Sequence, residues 1–259
     1  YIVEATRSPL GAFLGGLSET PAPELLAQLI KGLKLSDEIK SAIDEAYIGH
    51  VLSANVGQAP SKQALLYADL PSEIPATGIN KVCASGMKAT MLGAMSISSG
   101  INDLVIVGGM ENMSLAPFYS SELRKGKKLG NLNFTDGLIF DGLTSPYDKE
   151  HMGVSAELCA TGHKISREEQ DEYALLSYQR AIDTRDNGLF TNEITPIKTK
   201  RGAITNDEGI DNLKLDKLPN LRPAFQKKGS VTAGNASTIN DGASVLLLAS
   251  KKAVIKHGL

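Results

Sequence analysis

The sequence lacks an excess of charge, a cysteine framework and a long apolar run. Its 27 basic and 29 acidic side chains leave a net charge of −2, which excludes the positive excess expected of a protein that binds nucleic acid or anionic membranes. No uninterrupted apolar run approaches membrane-spanning length. Only Cys83 and Cys159 are present, which argues against a disulfide scaffold and fits a reducing compartment; a single bridge between them is the less favoured alternative. A globular chain with its own apolar core is therefore expected.

Helix and strand patterns alternate along the first part of the chain. Tyr1 to Ala5 is typical of a short strand, and Pro23 opens an amphipathic helical pattern. A second helix is predicted from Ser36, followed by a strand at Ala46 to His50. This alternation predicts an α/β fold in which helices cover a sheet.

The segment from Pro75 to Ser114 is the most informative. It begins extended, changes to helical spacing after Cys83, and returns to a fully apolar strand at residues 104–107. A thiol at a helix start meets unpaired backbone N–H groups and the positive end of the helix dipole, and both favour the nucleophilic thiolate. The alternative is an inert, buried cysteine. The apolar residues that predict the helix are Met87, Met91, Ala94 and Met95.

The chain becomes more polar and richer in turns after residue 114. Ser166 and Glu169 form the capping-box pattern of one strong helix in this stretch. Residues 243–249 then give a second buried-strand pattern, which returns the chain to the sheet. We therefore predict an α/β domain made of residues 1–114 and 239–259, interrupted by an inserted loop domain at residues 115–238.

Five segments of this sequence resemble signatures of the thiolase family, in the family's order and at compatible spacing. The family's acyl-cysteine motif is similar to residues 80–88 (NKVCASGMK), and its opening strand and turn to residues 5–9 (ATRSP). The remaining three are residues 108–114 (GGMENMS), 151–153 (HMG) and 231–237 (VTAGNAS). Long motifs in register are a far stronger signal than any one of them alone. The resemblance implies a thiolase-like layered fold, in which helices cover a mixed sheet.

The resemblance also implies a mechanism centred on Cys83. Its thiolate is expected to attack the thioester carbonyl of an acyl-CoA, release CoA and carry the acetyl group, while its backbone N–H supplies half of an oxyanion hole. The activity implied is that of an acetyl-CoA C-acetyltransferase, which forms or cleaves acetoacetyl-CoA. No metal and no cofactor are expected, because the coenzyme A thioester is itself the substrate.

Six further positions align with residues that line the pantetheine channel of the family. Ser237 is expected to hydrogen-bond the pantetheine arm, and the others to form the walls. Each has a structural alternative: a satisfied histidine, plain core packing or a turn-forming serine. The six are Leu143, His151, Met152, Phe225, Ala233 and Ser237.

Several features of complete family members do not occur in these 259 residues. The family has a second domain with an Asn-Glu-Ala-Phe segment, a Gly-His-Pro segment whose histidine activates the nucleophile, and a second cysteine that acts as acid and base. His50, His163 and His257 lie outside the matching motifs, so none is assigned as the base. The run from Asp207 to Ile210 lacks the tyrosine and arginine that serve adenine and potassium in many members. The C-terminal domain is thus expected to be absent, and the chain alone to be inactive.

Two rival functions remain open at this point. One is a longer-chain 3-ketoacyl-CoA thiolase, although residues 82–84 (VCA) and 151–152 (HM) resemble the short-chain, acetoacetyl type. The other is a CoA-binding fragment without turnover. By resemblance, the protein is expected to form a homodimer or homotetramer, to bind acetyl-CoA or acetoacetyl-CoA, and to engage neither nucleic acid nor membrane. A cytoplasmic location is predicted, with the mitochondrial matrix as the alternative.

Overall fold

The computed structural model describes residues 1–212 and 215–259. Strands and helices alternate as β1 (Ile2–Arg7), β2 (Gly11–Ala12), α1 (Ala22–Gly32), α2 (Asp37–Ala42), β3 (Glu45–Gly49), α3 (Pro60–Tyr67), β4 (Ala76–Ile79), α4 (Ser85–Ser98) and β5 (Leu104–Asn112). There follow β6 (Phe118–Tyr119), β7 (Thr135–Asp136), a π-helix (Leu138–Leu143), α5 (Met152–Gly162), α6 (Arg167–Asp186), β8 (Ile197–Thr199), β9 (Gly202–Ile204), β10 (Asn240–Ala249) and α7 (Lys251–His257). Short 3₁₀ turns lie between them. Within the described residues, none of the helices has the length and apolar character needed to span a membrane.

The main sheet is mixed, which confirms the predicted fold class. Its strand order is β1-β10-β5-β3-β4, with β2 paired to β10. The strands β3, β4 and β5 run parallel to one another, whereas β10 is antiparallel to both β1 and β5. The two apolar runs read from the sequence therefore pair with each other at the centre of the sheet, as their composition predicts.

Helices cover both faces of this sheet. On one face α1, α3 and α7 pack over Leu104, Ile106 and Leu247 in the larger apolar core. On the other face α4 lies over Val105 and Val107. The alternation along β5 follows from the two-residue period of a strand, which sends successive side chains to opposite faces.

The methionines whose spacing predicts α4 do not face the sheet. The buried side of α4 carries Ser85, Ala89, Gly93 and Ser96, and a Cβ on Gly93 would lie 2.5 Å from Cγ1 of Val107. Small residues thus let α4 lie close against β5. The outer side carries Met87, Met91 and Met95, which are 71%, 51% and 59% exposed.

The predicted insertion is tied to the first strand. Backbone hydrogen bonds join Arg7 to Glu193 and Thr195, and Asp207 accepts two hydrogen bonds from the Arg7 guanidinium. Glu208 accepts from the backbone N–H groups of Ala12 and Gly16. The acidic pair therefore holds the β1–β2 segment to the insertion. The boundaries at residues 115 and 238 stay predictions.

Candidate active site

Cys83 sits in a tight elbow between β4 and α4. The side chain of Asn80 accepts a hydrogen bond from the N–H of Val82, and the Ser85 hydroxyl accepts from Lys81 N–H while donating to the Val82 carbonyl. Val82 has a φ of 50°, in the left-handed region that β-branched residues rarely adopt. Strain of this kind is common where a reactive side chain must be displayed. The elbow leaves Cys83 exposed, so it is not the buried, inert cysteine of the alternative interpretation.

The cysteine lies at the wall of a cavity of about 500 Å³ at the carboxyl ends of the parallel strands. Ligands in open α/β sheets bind at this edge. Gly49 and Gly109, near the carboxyl ends of β3 and β5, face the first turn of α4. Because they have no side chains, this turn can lie close to both strands at the cavity. The remaining walls are mostly apolar and include Leu10, Leu52, Val82, Met110, Met113 and Leu143.

A buried histidine and a partly buried glutamate form the polar part of the same wall. His50 Nε2 lies 3.4 Å from Glu111 Oε1. Burial lowers the pKa of His50 and raises that of Glu111, while backbone N–H groups of Val51 and Leu52 oppose the latter shift by donating to its carboxylate. Sequence reasoning set His50 aside and did not single out Glu111. The signal available was their position: each stands at the carboxyl end of a strand in the parallel part of the sheet.

Three of the predicted channel residues cluster at the start of α5. His151 caps this helix, with Nδ1 accepting from the N–H of Gly153 at 3.0 Å. Its ring stacks on Phe225, with centroids 4.9 Å apart and planes inclined by 20°. Phe225 fills the space over Gly153, where a Cβ would come within 2.4 Å of the ring, and Met152 is exposed beside them. His151 and Phe225 thus have structural contacts of their own.

Leu143 connects this cluster with the cysteine cavity. It lines the cavity, and the next residue, Thr144, is paired with His151 through an isolated bridge. Of the six predicted channel residues, only Leu143 shares the cavity wall with Cys83. Leu143 and Cys83 therefore line the same cavity, and His151 is connected to this wall through its bridge to Thr144.

Ala233 and Ser237 lie exposed on a loop that is firmly anchored. Glu157 of α5 accepts hydrogen bonds from the backbone N–H groups of Ser230 and Val231 and from the Ser230 hydroxyl. The N–H of Ala224 donates to the Val231 carbonyl, so the loop runs beside Phe225. Among the described residues, the Ser237 hydroxyl makes no hydrogen bond within the chain and is exposed to solvent.

The second cysteine stands apart from this site. Cys159 lies exposed on α5 and does not line the cavity. Both thiols are free, so the alternative of a bridge between Cys83 and Cys159 is wrong. No group of three or more side chains suited to a metal ion occurs in residues 1–212 and 215–259.

Comparison with known proteins places the chain in a family. Residues 1–252 match the family described as "Thiolase, N-terminal domain". A cytosolic acetyl-CoA acetyltransferase of Gibberella zeae is 46% identical over 258 residues, covering 97% of this chain and 65% of the relative. An acetyl-CoA acetyltransferase of Schizosaccharomyces pombe is 47% identical, with coverages of 100% and 67%, and a mitochondrial acetyl-CoA acetyltransferase of Gibberella zeae is 46% identical, with coverages of 100% and 62%. The chain thus spans about two thirds of the length of the curated relatives it matches.

Proposed function

Because this chain belongs to the thiolase family, we propose that it carries the acyl-binding cysteine of an acetyl-CoA C-acetyltransferase, an enzyme that forms and cleaves acetoacetyl-CoA. The observation that carries this proposal is the placement of Cys83. An exposed thiol stands at a strained strand-to-helix elbow and opens onto a largely apolar cavity at the carboxyl edge of the sheet. The names of the relatives support the substrate, acetyl-CoA.

The proposed reaction has two stages. The Cys83 thiolate attacks the carbonyl carbon of acetyl-CoA, the C–S bond to coenzyme A breaks, and CoA leaves as its thiol once protonated. A second acetyl-CoA, deprotonated at its methyl carbon, then attacks the acetyl-cysteine, which releases acetoacetyl-CoA and regenerates the Cys83 thiolate. Storing the acetyl group covalently divides one difficult condensation into two easier steps. We assign the proton transfers to groups outside these 259 residues, in line with the family motifs that the sequence does not contain.

The proposed path of the coenzyme runs from the cysteine cavity past Leu143 to the His151–Phe225 stack. In this arrangement, Met152 and Ala233 form apolar wall and the Ser237 hydroxyl donates to the pantetheine arm. Met152 on α5 and Ala233 and Ser237 on the loop anchored to α5 are all exposed, which supports such a groove. The coenzyme A thioester is the substrate, and we propose no metal and no further cofactor.

The test of the covalent role is acetylation of the full-length gene product by acetyl-CoA, followed by peptide mapping in a mass spectrometer. One acetyl group is expected on the peptide that contains Cys83. Cys83→Ser should abolish acetylation and most turnover, because a hydroxyl forms far less of its anion than a thiol. Cys159→Ser is the matched control and should leave both intact. Acetylation at Cys159 with Cys83 unmodified would overturn the assignment.

Chain-length preference separates the main rival. An acetoacetyl-type enzyme should cleave acetoacetyl-CoA faster than long 3-ketoacyl-CoA thioesters, and the reverse order would favour the longer-chain thiolase. For the whole protein, we propose a homodimer or homotetramer, to be sized by light scattering. We also propose a cytoplasmic location, with the mitochondrial matrix as the alternative, since relatives of both kinds occur and two free, exposed thiols suit a reducing compartment. Cell fractionation distinguishes the two.

A further inference from the structure

The carboxyl edge of the sheet brings a histidine into the cysteine cavity. His50 directly follows β3, Cys83 follows the neighbouring strand β4, and Glu111 stands near the end of β5 on the other side of β3. Parallel pairing aligns these strands: Gly49 lies opposite both Ile79 and Gly109. All three side chains consequently line one cavity.

The ring nitrogen Nε2 of His50 lacks a hydrogen-bond partner within the described residues. The side chain is only 5% exposed. Glu111 lies 3.4 Å away, but its two oxygens already accept the N–H groups of Val51 and Leu52, and no hydrogen bond to Nε2 forms. Leaving a buried polar group unpaired is unfavourable, so such groups in native proteins are satisfied by water or by a ligand.

We propose that Nε2–H of His50 donates a hydrogen bond to the carbonyl oxygen of the acyl group that occupies the Cys83 cavity. His50 is then a further substrate-binding residue. This inference rests on the proposed function, because it requires an acyl thioester in the cavity. The carbonyl oxygen is the one polar atom of a simple acyl group, and most of the cavity wall offers it only apolar carbon.

The surroundings of His50 keep it in the form that the proposal requires. Burial lowers its pKa, so at neutral pH the imidazole is uncharged and carries a single N–H. The carboxylate of Glu111 favours the tautomer with the proton on Nε2, the atom that faces it. The other charged or titratable side chains at this cavity are those of Arg7 and Cys83, and the Arg7 guanidinium is held by Asp207 and Glu193. Glu111 therefore acts as the positioning residue for the ring.

The test compares two ligands that differ only in the acyl group. Binding of acetyl-CoA and of CoA is measured by calorimetry on the full-length gene product in a Cys83→Ala background, where no acyl transfer to the cysteine can occur. His50→Leu should weaken acetyl-CoA binding about 10-fold, the loss expected for one hydrogen bond, while CoA binding stays unchanged. His50→Gln retains an N–H donor and should stay within about threefold of the parent.

The chain offers a control in a second His–Glu pair, in which the histidine is buried and the glutamate is exposed. His257 is 6% exposed at its side chain and lies 2.9 Å from Glu38, outside the cavity. His257→Leu should leave the ratio of the two affinities unaltered. If His50→Leu does not fold, His50→Asn, whose amide is too short to reach the same point, takes its place.

The outcomes separate this inference from the proposed function. If His50→Leu weakens the binding of CoA and of acetyl-CoA equally, or changes neither affinity, His50 only binds water or packs against the wall. That result overturns the inference and leaves the acetylation of Cys83 unaffected. Equal losses in His50→Leu and His50→Gln overturn it as well. If the Cys83→Ala parent binds neither ligand and acetyl-CoA never acetylates Cys83 in the unaltered protein, the proposed function and the inference both fail.

Discussion

The absence of a side chain on Gly49 decides how closely the end of β3 approaches the cysteine elbow. A Cβ built there would lie 2.5 Å from the nitrogen of Gly86 and from the carbonyl carbon of Ser85, both backbone atoms at the start of α4. Backbone atoms cannot move away from such a contact as the end of a flexible side chain can. Gly86 itself faces more space, since its own Cβ would come no closer than 3.7 Å to any neighbour.

The first prediction compares these two glycines. Gly49→Ala should destabilise the protein by about 1–3 kcal/mol, the usual cost of overpacking a tight contact, and should displace the elbow that carries Cys83. Gly86→Ala should be neutral or stabilising by up to about 1 kcal/mol, because alanine is the better helix former. Urea unfolding of the two variants checks this, and equal losses of stability would show that β3 and α4 are less closely packed than the structure indicates.

At the scale of single residues, the sequence predicts site residues whose position depends on local structure and misses those whose position depends on long-range contacts. The position of Cys83 depends on a local change from extended to helical spacing, which the residues around it display. The position of His50 beside Glu111 depends on the pairing of β3 with β5, a long-range contact that neither segment reveals alone. The His151–Phe225 stack is likewise invisible before folding, although the resemblance singled out both residues.

At the scale of elements, α5 and the loop after residue 228 are joined through one carboxylate. Glu157 is buried, and burial alone raises its pKa, but the N–H groups of Ser230 and Val231 and the Ser230 hydroxyl outweigh this and hold the pKa below the ordinary range. A carboxyl group whose pKa is lowered by folding stabilises the native state when ionised. This stabilisation is fully present above the ordinary value of about 4.3 and is lost as the pH falls through the lower, folded value.

The second prediction follows from that linkage. At pH 7, Glu157→Gln should lower the free energy of unfolding by about 1–3 kcal/mol, since charge-assisted hydrogen bonds are lost. The gap between the parent and the variant should begin to narrow below about pH 4.3 and should close as the pH falls through the lower, folded pKa of Glu157, where the parent's carboxylate is protonated. Glu172→Gln, an exposed glutamate on α6, is the control and should cost less than about 0.5 kcal/mol. A gap independent of pH would contradict the role of the charge.

The elements themselves were largely predictable. The capping box of Ser166 and Glu169 is formed as expected, and Ser36 caps α2 by accepting from the N–H of Ile39. The orientation of α4 was not predictable from its methionines, because small residues rather than large ones decide which side can approach a sheet closely. The strand at residues 104–107 also extends further than its apolar run, through Glu111 to Asn112, because β10 pairs with it along its whole length.

For the molecule as a whole, helices lie over both faces of the central strands of the sheet, whereas the edge strand β1 is largely exposed, with Ile2 63% exposed. The strands at residues 104–107 and 243–249 are apolar on both faces and must pack against something on each side, and within this chain α4 supplies the cover on one of those sides. Exposed apolar surface also lies on the outer side of α4, where Met87, Met91 and Met95 face solvent. Exposed apolar patches of this kind mark contact surfaces or lead to aggregation.

The third prediction concerns a polypeptide of residues 1–259 by itself. It should show no thiolysis of acetoacetyl-CoA, because acid–base assistance contributes about 10²–10⁴-fold to such reactions and, in the described part of the chain, no side chain hydrogen-bonds the Cys83 thiol. A spectrophotometric assay at high protein concentration is the measurement. Robust turnover would mean that a base within these residues has been overlooked, with His50 the first to be examined.

The same polypeptide should also self-associate through α4. Met87, Met91 and Met95 form one exposed stripe on a helix whose other side is fixed to the sheet, so the stripe cannot turn inward. Replacing all three with glutamine should shift the mass seen by light scattering towards the monomer without lowering the free energy of unfolding, since these side chains are at least half exposed. Glutamine at Leu175 and Leu176, which are 44% and 45% exposed on α6, is the matched control and should leave association unchanged. If the control variant shifts the mass towards the monomer equally well, the association is nonspecific and hydrophobic, and α4 carries no contact surface of its own.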